Sequence, residues 1–337
     1  MKEQFVTHFC CPGCRGNIKL QTSISDNGEV KEGRLVCSAC GSIYPVANYI
    51  PRFVPAENYA GSFGYQWNRH VQVQIDRFSN LNISKDRFFS VTQWPEDMQG
   101  QLILEAGCGA GRFTQVAIGT GAQVFSFDYS NSVDANLQNN ELPQNLCLFQ
   151  ADIFNIPLSY KKFDKVFCLG VLQHTPDVKG AFMSLLPYLK DGGEIVIDVY
   201  NRPWYNPLIP RYVVRFLFGP ITRRMKPNTL HKVVERIVPV LLPVKIFLRK
   251  IPLIGRYVSY LIPVASLELL PQLTKEQRLE LSILDTFDMI SPRYDTPQRI
   301  NDVRDWFVEA GLTDIEIKYG PNGINAKGTK RALTDSR

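Results

Sequence analysis

The 337-residue chain contains no run of eighteen or more uncharged apolar residues, so no segment reads as a membrane-spanning helix. Its N-terminus has no leader-like apolar stretch either. Lys2, Glu3 and His8 interrupt it and a cysteine cluster follows, which argues against a signal peptide. Cysteines are not spread as in a disulfide scaffold. Four sit in two Cys-x-x-Cys pairs, and Cys108, Cys147 and Cys168 fall in or beside apolar segments, so a reducing, cytoplasmic compartment is predicted. Acid is nearly missing from Arg202 to Arg256, where Glu235 stands alone against twelve Lys and Arg. What is present, 45% hydrophobic and 21% charged residues, describes a globular protein, and the length exceeds one average domain, so a core with additions is expected.

The apolar run Leu102-Ile103-Leu104-Glu105-Ala106 breaks into Gly107-Cys108-Gly109-Ala110-Gly111-Arg112 and then a helical pattern. A second run, Gln123 to Phe127, ends in Asp128. This order is strand, tight turn, helix, strand. Glycines let the backbone approach a ligand, the helix N-terminus attracts its anionic part, and an acid ending the second strand can accept both hydroxyls of a ribose. The spacing is not that of a dinucleotide site, because Arg112 stands where the third glycine is needed. A carboxylate at Glu105 inside the turn would repel a pyrophosphate but not a ligand carrying a sulfonium and an ammonium. Plain alternatives exist: close packing for the glycines, a helix cap for Asp128, a turn for Asp152.

These residues resemble the first motif of the class I S-adenosylmethionine-dependent methyltransferases. Leu148-Phe149-Gln150-Ala151-Asp152-Ile153, Phe163 to His174 and Leu189 to Ile197 are similar to that family's later motifs, in the same order. The resemblance implies S-adenosylmethionine as cofactor. It implies Glu105, Gly107, Cys108, Gly109, Gly111 and Arg112 as binding residues of the first turn, Asp128 and Tyr129 at the ribose, Asp152 and Ile153 at the adenine, and Leu169 and Gly170 after the fourth strand. The aromatic stretch before the first strand would pack across the pocket, with Tyr65 as a cofactor contact and Trp67 and His70 beside it.

Cys11-Pro12-Gly13-Cys14 and Cys37-Ser38-Ala39-Cys40 can supply four thiolates to one tetrahedral zinc, with Cys10 a spare thiol and a metal-free or redox pair as the alternative. The segment around them resembles the short zinc-ribbon-like domain that occurs as a partner or fused module of some methyltransferases. The zinc would be structural, because four cysteines leave no open coordination position. The expected fold is α/β: a doubly wound, Rossmann-like methyltransferase sheet with an N-terminal zinc ribbon and a helical insertion. Its expected parts are a ribbon over 1–56, a helical extension over 57–98, a core over 99–200 and 292–330, and a basic, apolar insertion over 201–291. Within the insertion, short amphipathic helices broken at prolines are expected. A helix from Pro297 capped by Asp295 or Thr296, a strand pair after it and a frayed tail from about Lys330 complete the chain.

Methyl transfer from a sulfonium is an in-line displacement, so alignment and exclusion of water dominate, and a base helps when the acceptor is a hydroxyl or amine. His174, after the fourth strand, is the candidate base or else a cleft-lining residue. Asp285 and Tyr294, with Asp288, are candidate catalytic or substrate contacts where the chain re-enters the core. The expected activity is methyl transfer to a small-molecule, sugar or lipid-linked acceptor. RNA-base methylation, transfer of another group from the same cofactor, and a non-catalytic binding protein are the alternatives. No Asn-Pro-Pro-Tyr-like signature follows Leu169-Gly170, which counts against exocyclic-amine targets. Three readings of the insertion stay open: a cap over the pocket, a peripheral membrane contact through 202–270, and a nucleic-acid patch. The last ranks lowest because the apolar content is high for a surface that meets a polar backbone. Oligomeric state is not legible.

Overall fold

The computed structural model describes residues 1–55, 57–79, 81–202, 217–259, 261–265 and 273–332. Parts of the expected insertion (203–216 and 266–272, including Arg211 and Arg215) and of the expected tail (333–337) lie outside the described residues.

A short 3-10 turn (Glu3–His8) leads into an antiparallel meander, β1 (Ile18–Asp26), β2 (Glu29–Cys37), β3 (Ile43–Ala47) and β4 (Ile50–Pro51). Asn27 and Gly28, both at positive φ, form the two-residue hairpin that joins β1 to β2. Most of β1 is exposed, so the meander does not close a core of its own. It uses the edge of the main sheet instead.

Three helices follow, α1 (Gly61–Arg69), α2 (Asp76–Ser79) and α3 (Ile83–Thr92). The core then alternates β5 (Leu102–Ala106), α4 (Arg112–Gly119), β6 (Gln123–Asp128), α5 (Val133–Asn140), β7 (Leu146–Gln150), β8 (Phe163–Leu169), α6 (Val178–Leu185) and β9 (Leu189–Val199). The insertion contains α7 (Pro227–Arg249), α8 (Gly255–Ser259) and α9 (Lys275–Ile290); α10 (Ile300–Glu309), β10 (Leu312–Gly320) and β11 (Gly323–Lys330) return to the sheet. The strand order is β10-β11-β9-β8-β5-β6-β7; β9 through β7 are parallel, and β11 and β10 add antiparallel. β7 is buried throughout and β8 nearly so, as strands covered on both faces must be.

The exposed edge of β7 is covered by the meander. Arg52 bridges Gln150, the Phe53 amide donates to the Gln150 carbonyl at 2.8 Å, and the Cys10 amide donates to the Pro157 carbonyl at 3.0 Å. Phe9 and Phe53 pack edge-on against Phe149, with ring centroids 5.3 and 6.5 Å away, so Phe5, Phe9 and Val46 join the same core as Phe125 and Phe149. An edge strand covered in this way is closed to pairing with other chains.

Three local expectations are corrected. α7 runs unbroken through Pro239 and Pro243. Both prolines are exposed, while Leu230, Val234, Val238 and Leu242 hold the other face in a core that offsets the lost backbone bonds. α10 begins at Ile300, and its first turn is closed by the Asp302 carboxylate accepting from the Arg299 amide at 3.3 Å. Thr296 is no cap there; its amide donates to the Gln173 carbonyl. Lys330 is the last residue of β11, and its ammonium donates to the Leu186 and Leu189 carbonyls. No helix among the described residues is long and apolar enough to cross a membrane.

Candidate functional site

At the carboxyl ends of β5, β6 and β8 lies a cavity of about 240 Å³, closed on other sides by α1, α3 and α9. Its floor is the turn after β5. The Gly107 and Cys108 amides donate to the Phe127 carbonyl, and the Gly109 amide donates to Asp128 Oδ2 at 3.0 Å. Gly107 has φ +81°, and a Cβ there would sit 2.4 Å from Val171, so only glycine lets this turn close on the loop after β8. Asp128 Oδ1 accepts from the Ser130 amide and hydroxyl, both at 2.8 Å. The carboxylate is thus fixed by its neighbours while it lines the cavity; it does not cap α5, which starts at Val133 after Ser132 with no side-chain cap bond.

Of the residues the sequence points to, Gly107, Cys108, Gly109, Arg112, Asp128, Tyr129, Ile153, Leu169, Gly170, His174 and Asp285 line this cavity, and so does Asp288. Five do not. Glu105 is buried beneath the turn, where its Oε2 accepts from Thr114 Oγ1 at 2.5 Å and Ser126 Oγ at 2.6 Å, and burial pushes its pKa up to about 7. It supports the turn from the core side. Gly111 packs against Asn136 and Asn140, where a Cβ would lie 2.3 Å from Asn140 Nδ2. Asp152 stands between two lining residues, Ala151 and Ile153, but its Oδ1 accepts from the Phe154 amide; burial raises its pKa. Tyr65 points away, packing on His231 and Phe287, with its hydroxyl 3.3 Å from Asn228 Oδ1. Tyr294 contributes its main chain: its carbonyl accepts from His174 Nδ1 at 3.0 Å, while its ring packs on Tyr59. His70, off the cavity, faces His231 at 2.8 Å and Glu280 at 3.3 Å.

Sequence reasoning named Arg112 on one wall but missed Arg87 and Gln74 beside it. Arg87 on α3 and Arg112 on α4 both line the cavity with Gln74. Arg112 is held by Gln74 Oε1 at 2.7 Å and Ser84 Oγ at 3.2 Å; burial, then the Arg87 charge, lowers its pKa to about 10. Arg87 binds Asp198 at 2.7 Å, and the other oxygen of Asp198 accepts from Asn322, another lining residue. Two buried polar atoms of this cavity, Arg87 Nε and Gln66 Oε1, have no hydrogen-bond partner among the described residues. A donor beside paired guanidiniums suits a carboxylate, and an acceptor suits an ammonium or hydroxyl. Together with Asp128 this donor set fits S-adenosylmethionine, which carries all three groups.

His174 is clamped between Phe63 and Tyr200, with ring centroids 4.9 and 5.4 Å away. The Tyr294 carbonyl requires a proton on Nδ1, so the neutral ring carries its lone pair on Nε2. That is the tautomer a base needs.

The four sulfurs of Cys11, Cys14, Cys37 and Cys40 lie within 4.8 Å of one another. Separations of 3.7 Å (Cys11 to Cys40) and 3.5 Å (Cys14 to Cys37) are close to those set by tetrahedral zinc with bonds of about 2.3 Å. Tyr44 and Ser42 hydroxyls stand 3.2 Å from Cys11 and Cys40, and the Ala39 and Cys40 amides point at Cys37. This outer shell suits thiolates.

Residues 104–197 match the model of a family described as methyltransferase domain, and residues 9–48 that of Trm112p-like protein. The chain carries a methyltransferase domain. Two curated relatives are both named ubiquinone biosynthesis O-methyltransferase. The one from Alkalilimnicola ehrlichii is 29% identical over 44% of this chain and 60% of its own length; that from Pseudomonas fluorescens is 25% identical over 40% and 57%. The chain therefore spans about 60% or less of these relatives. Among solved structures, human N-acetylserotonin methyltransferase in complex with its cofactor aligns over 83% of this chain and 61% of its own, at 15% identity and a TM-score of 0.41. A complex of the Haloferax volcanii Trm112 methyltransferase activator with a methyltransferase aligns over 82% and 99%, at 12% identity and 0.43. In this chain the methyltransferase domain and the Trm112p-like segment are covalently joined and share one core.

Proposed function

We propose that the chain transfers the methyl group of S-adenosylmethionine to a small-molecule, sugar or lipid-linked acceptor. The observation that carries this reading is one cavity that holds Asp128 against the glycine turn, two arginines on a second wall and a clamped, base-competent His174 on a third. Bound, the cofactor supplies an electrophilic methyl carbon that is already activated by the sulfonium charge. The protein residues do the rest. Asp128 accepts the ribose hydroxyls, Arg87 and Arg112 take the amino-acid carboxylate, and Ile153 covers the base. His174 Nε2 takes the acceptor's proton, while Asp285 and Asp288 orient the acceptor from α9. Phe63, Trp67 and Tyr59 exclude water.

Calorimetric titration of the zinc-loaded protein with S-adenosylmethionine and S-adenosylhomocysteine tests the cofactor. Micromolar binding weakened about a hundredfold or more by Asp128→Ala is expected, from the loss of two charge-assisted hydrogen bonds. Absence of binding by folded wild type would sink the reading. In an acceptor screen, His174→Gln should lower turnover about 10²- to 10⁴-fold while leaving cofactor affinity within about threefold. Equal losses of both would make His174 a binding residue only.

A further inference from the structure

We infer that the outward face of α7, with the turn that follows it, is a docking surface for a bilayer bearing anionic headgroups. α7 is apolar on two sides. Its inner side, Leu230, Val234, Val238 and Leu242, is buried in one cluster with Phe287 and Ile290 of α9, which is what folding requires of it. Its outer side repeats the pattern in solvent: Val233, Ile237, Val240, Val244 and Phe247 are 38–66% exposed. At about 100° per residue these five fall in a stripe roughly 80° wide, with Arg236 and Lys232 along one flank. A helix anchored through one apolar stripe has no folding use for a second.

The turn after α7 extends the stripe. Leu253 is 94% exposed and sits at φ +66°, a left-handed conformation that a branched side chain rarely takes. Close approach fixes this turn: a Cβ on Gly255 would lie 2.1 Å from the Leu248 carbonyl. Ile254, Tyr257 and Leu261 beside it are 63–72% exposed. A leucine held outward at the tip of a constrained turn contributes nothing to the fold and suits insertion among acyl chains.

Charge selects the occupant. Arg223, Arg224, Lys232, Arg236 and Lys250 are exposed around the stripe; the segment's one acid, Glu235, is engaged by Arg69 and His231. An aliphatic stripe with cations along one flank and before and after its helix matches acyl chains beneath anionic headgroups. A second copy seated two-fold on the same face would bring like charges together. A nucleic acid would meet an aliphatic ridge with no phosphate partner at its centre. α9 joins this face to the site: Phe287 and Ile290 pack with α7 while Leu284, Asp285 and Asp288 line the cavity. A docked bilayer therefore lies two helices, α7 and α9, from the cavity. That its lipids supply the acceptor rests on the methyl-transfer reading; the docking itself does not.

Flotation of the full-length, zinc-loaded protein tests this, on vesicles of phosphatidylcholine alone and of phosphatidylcholine mixed with phosphatidylglycerol, at low and high salt. Expected is recovery with the anionic vesicles about tenfold or more above the neutral ones, falling with salt. Leu253→Glu and Val240→Glu, each with an unchanged melting temperature and unchanged cofactor titration, should each lower vesicle affinity about tenfold or more. Equal recovery on both vesicle types, no recovery, or full recovery by the double variant overturns the proposal. So does a wild-type dimer in sedimentation velocity that Val240→Glu dissociates, or RNA binding that the same substitutions abolish. Flotation needs no cofactor, so its failure leaves the methyl-transfer reading standing.

Discussion

The ribbon and the helical insertion are two additions to one sheet, and they handle apolar surface in opposite ways. In the ribbon, Phe9, Phe53 and Val46 turn inward and close on β7, so the addition and the sheet share a single core. In the insertion, α7 closes on α9 with one side and shows a second apolar side to solvent. Periodicity alone marks both as amphipathic. What separates them is whether a partner surface exists within the chain: the edge of β7 offers one to the ribbon, and nothing among the described residues covers the outer stripe of α7.

The largest test of this contrast is removal of the metal. Structural zinc sites are worth on the order of 10 kcal/mol, comparable with the whole stability of a domain. Because the ribbon is tied to β7 through the Phe53 amide, and to the segment after it through the Cys10 amide on the Pro157 carbonyl and the Arg15 guanidinium on the Ile156 and Leu158 carbonyls, Cys37→Ser or chelation should lower the unfolding temperature of the core as well. Scanning calorimetry with and without chelator reads this directly. Two transitions, the second unmoved by chelation, would mean that the ribbon is merely tethered.

Next in size is Phe53→Ala. Phe53 is 8% exposed and packs against Phe9, Tyr44 and Phe149 where ribbon meets sheet, so the deletion should cost about 3–5 kcal/mol in urea unfolding. A loss below about 1 kcal/mol would show that the junction relaxes around the gap.

A smaller effect is expected inside the sheet. Folding raises the Glu105 pKa from 4.5 to about 7, so with rising pH the unfolded chain gives up its proton first and stability falls across that window. Glu105→Gln keeps an oxygen for Thr114 and Ser126 and removes the titration. Above pH 7 the variant should therefore be more stable than wild type by about 3 kcal/mol, and the two should converge below pH 4.5. Parallel stability curves against pH would show that the carboxylate does not titrate in this range.

The alternation of strands and helices, the glycine turn, Asp128 and the four cysteines were legible because each leaves a local pattern: Gly109 and Asp128 are brought together by two adjacent parallel strands. Arg87 was not. It reaches the site because α3 crosses the end of β9 and Asp198 fixes it there, a relation with no local signature. Glu105 was misplaced for a related reason. It lies inside β5, two residues before Gly107, and its side chain goes to Thr114 and Ser126 rather than to the cavity. Tyr65 and Trp67 illustrate the same point on a helix: two positions apart on α1, they face different partners, and only Trp67 meets the glycine turn.

The smallest expected change is the most direct check on the comparison. Phe247→Ala removes the same ring as Phe53→Ala, but from a side chain that is 66% exposed on the outer stripe. Nothing buried is uncovered, and alanine favours a helix by a few tenths of a kcal/mol over phenylalanine, so stability should stay within about 0.5 kcal/mol of wild type. Anionic-vesicle affinity should fall severalfold in the same variant, which separates a surface kept for binding from one kept for folding. A loss of more than about 1 kcal/mol in urea unfolding would mean that the stripe is buried in solution after all, covered by another copy. The insertion would then resemble the ribbon in closing its apolar surface, with the partner supplied from outside the chain.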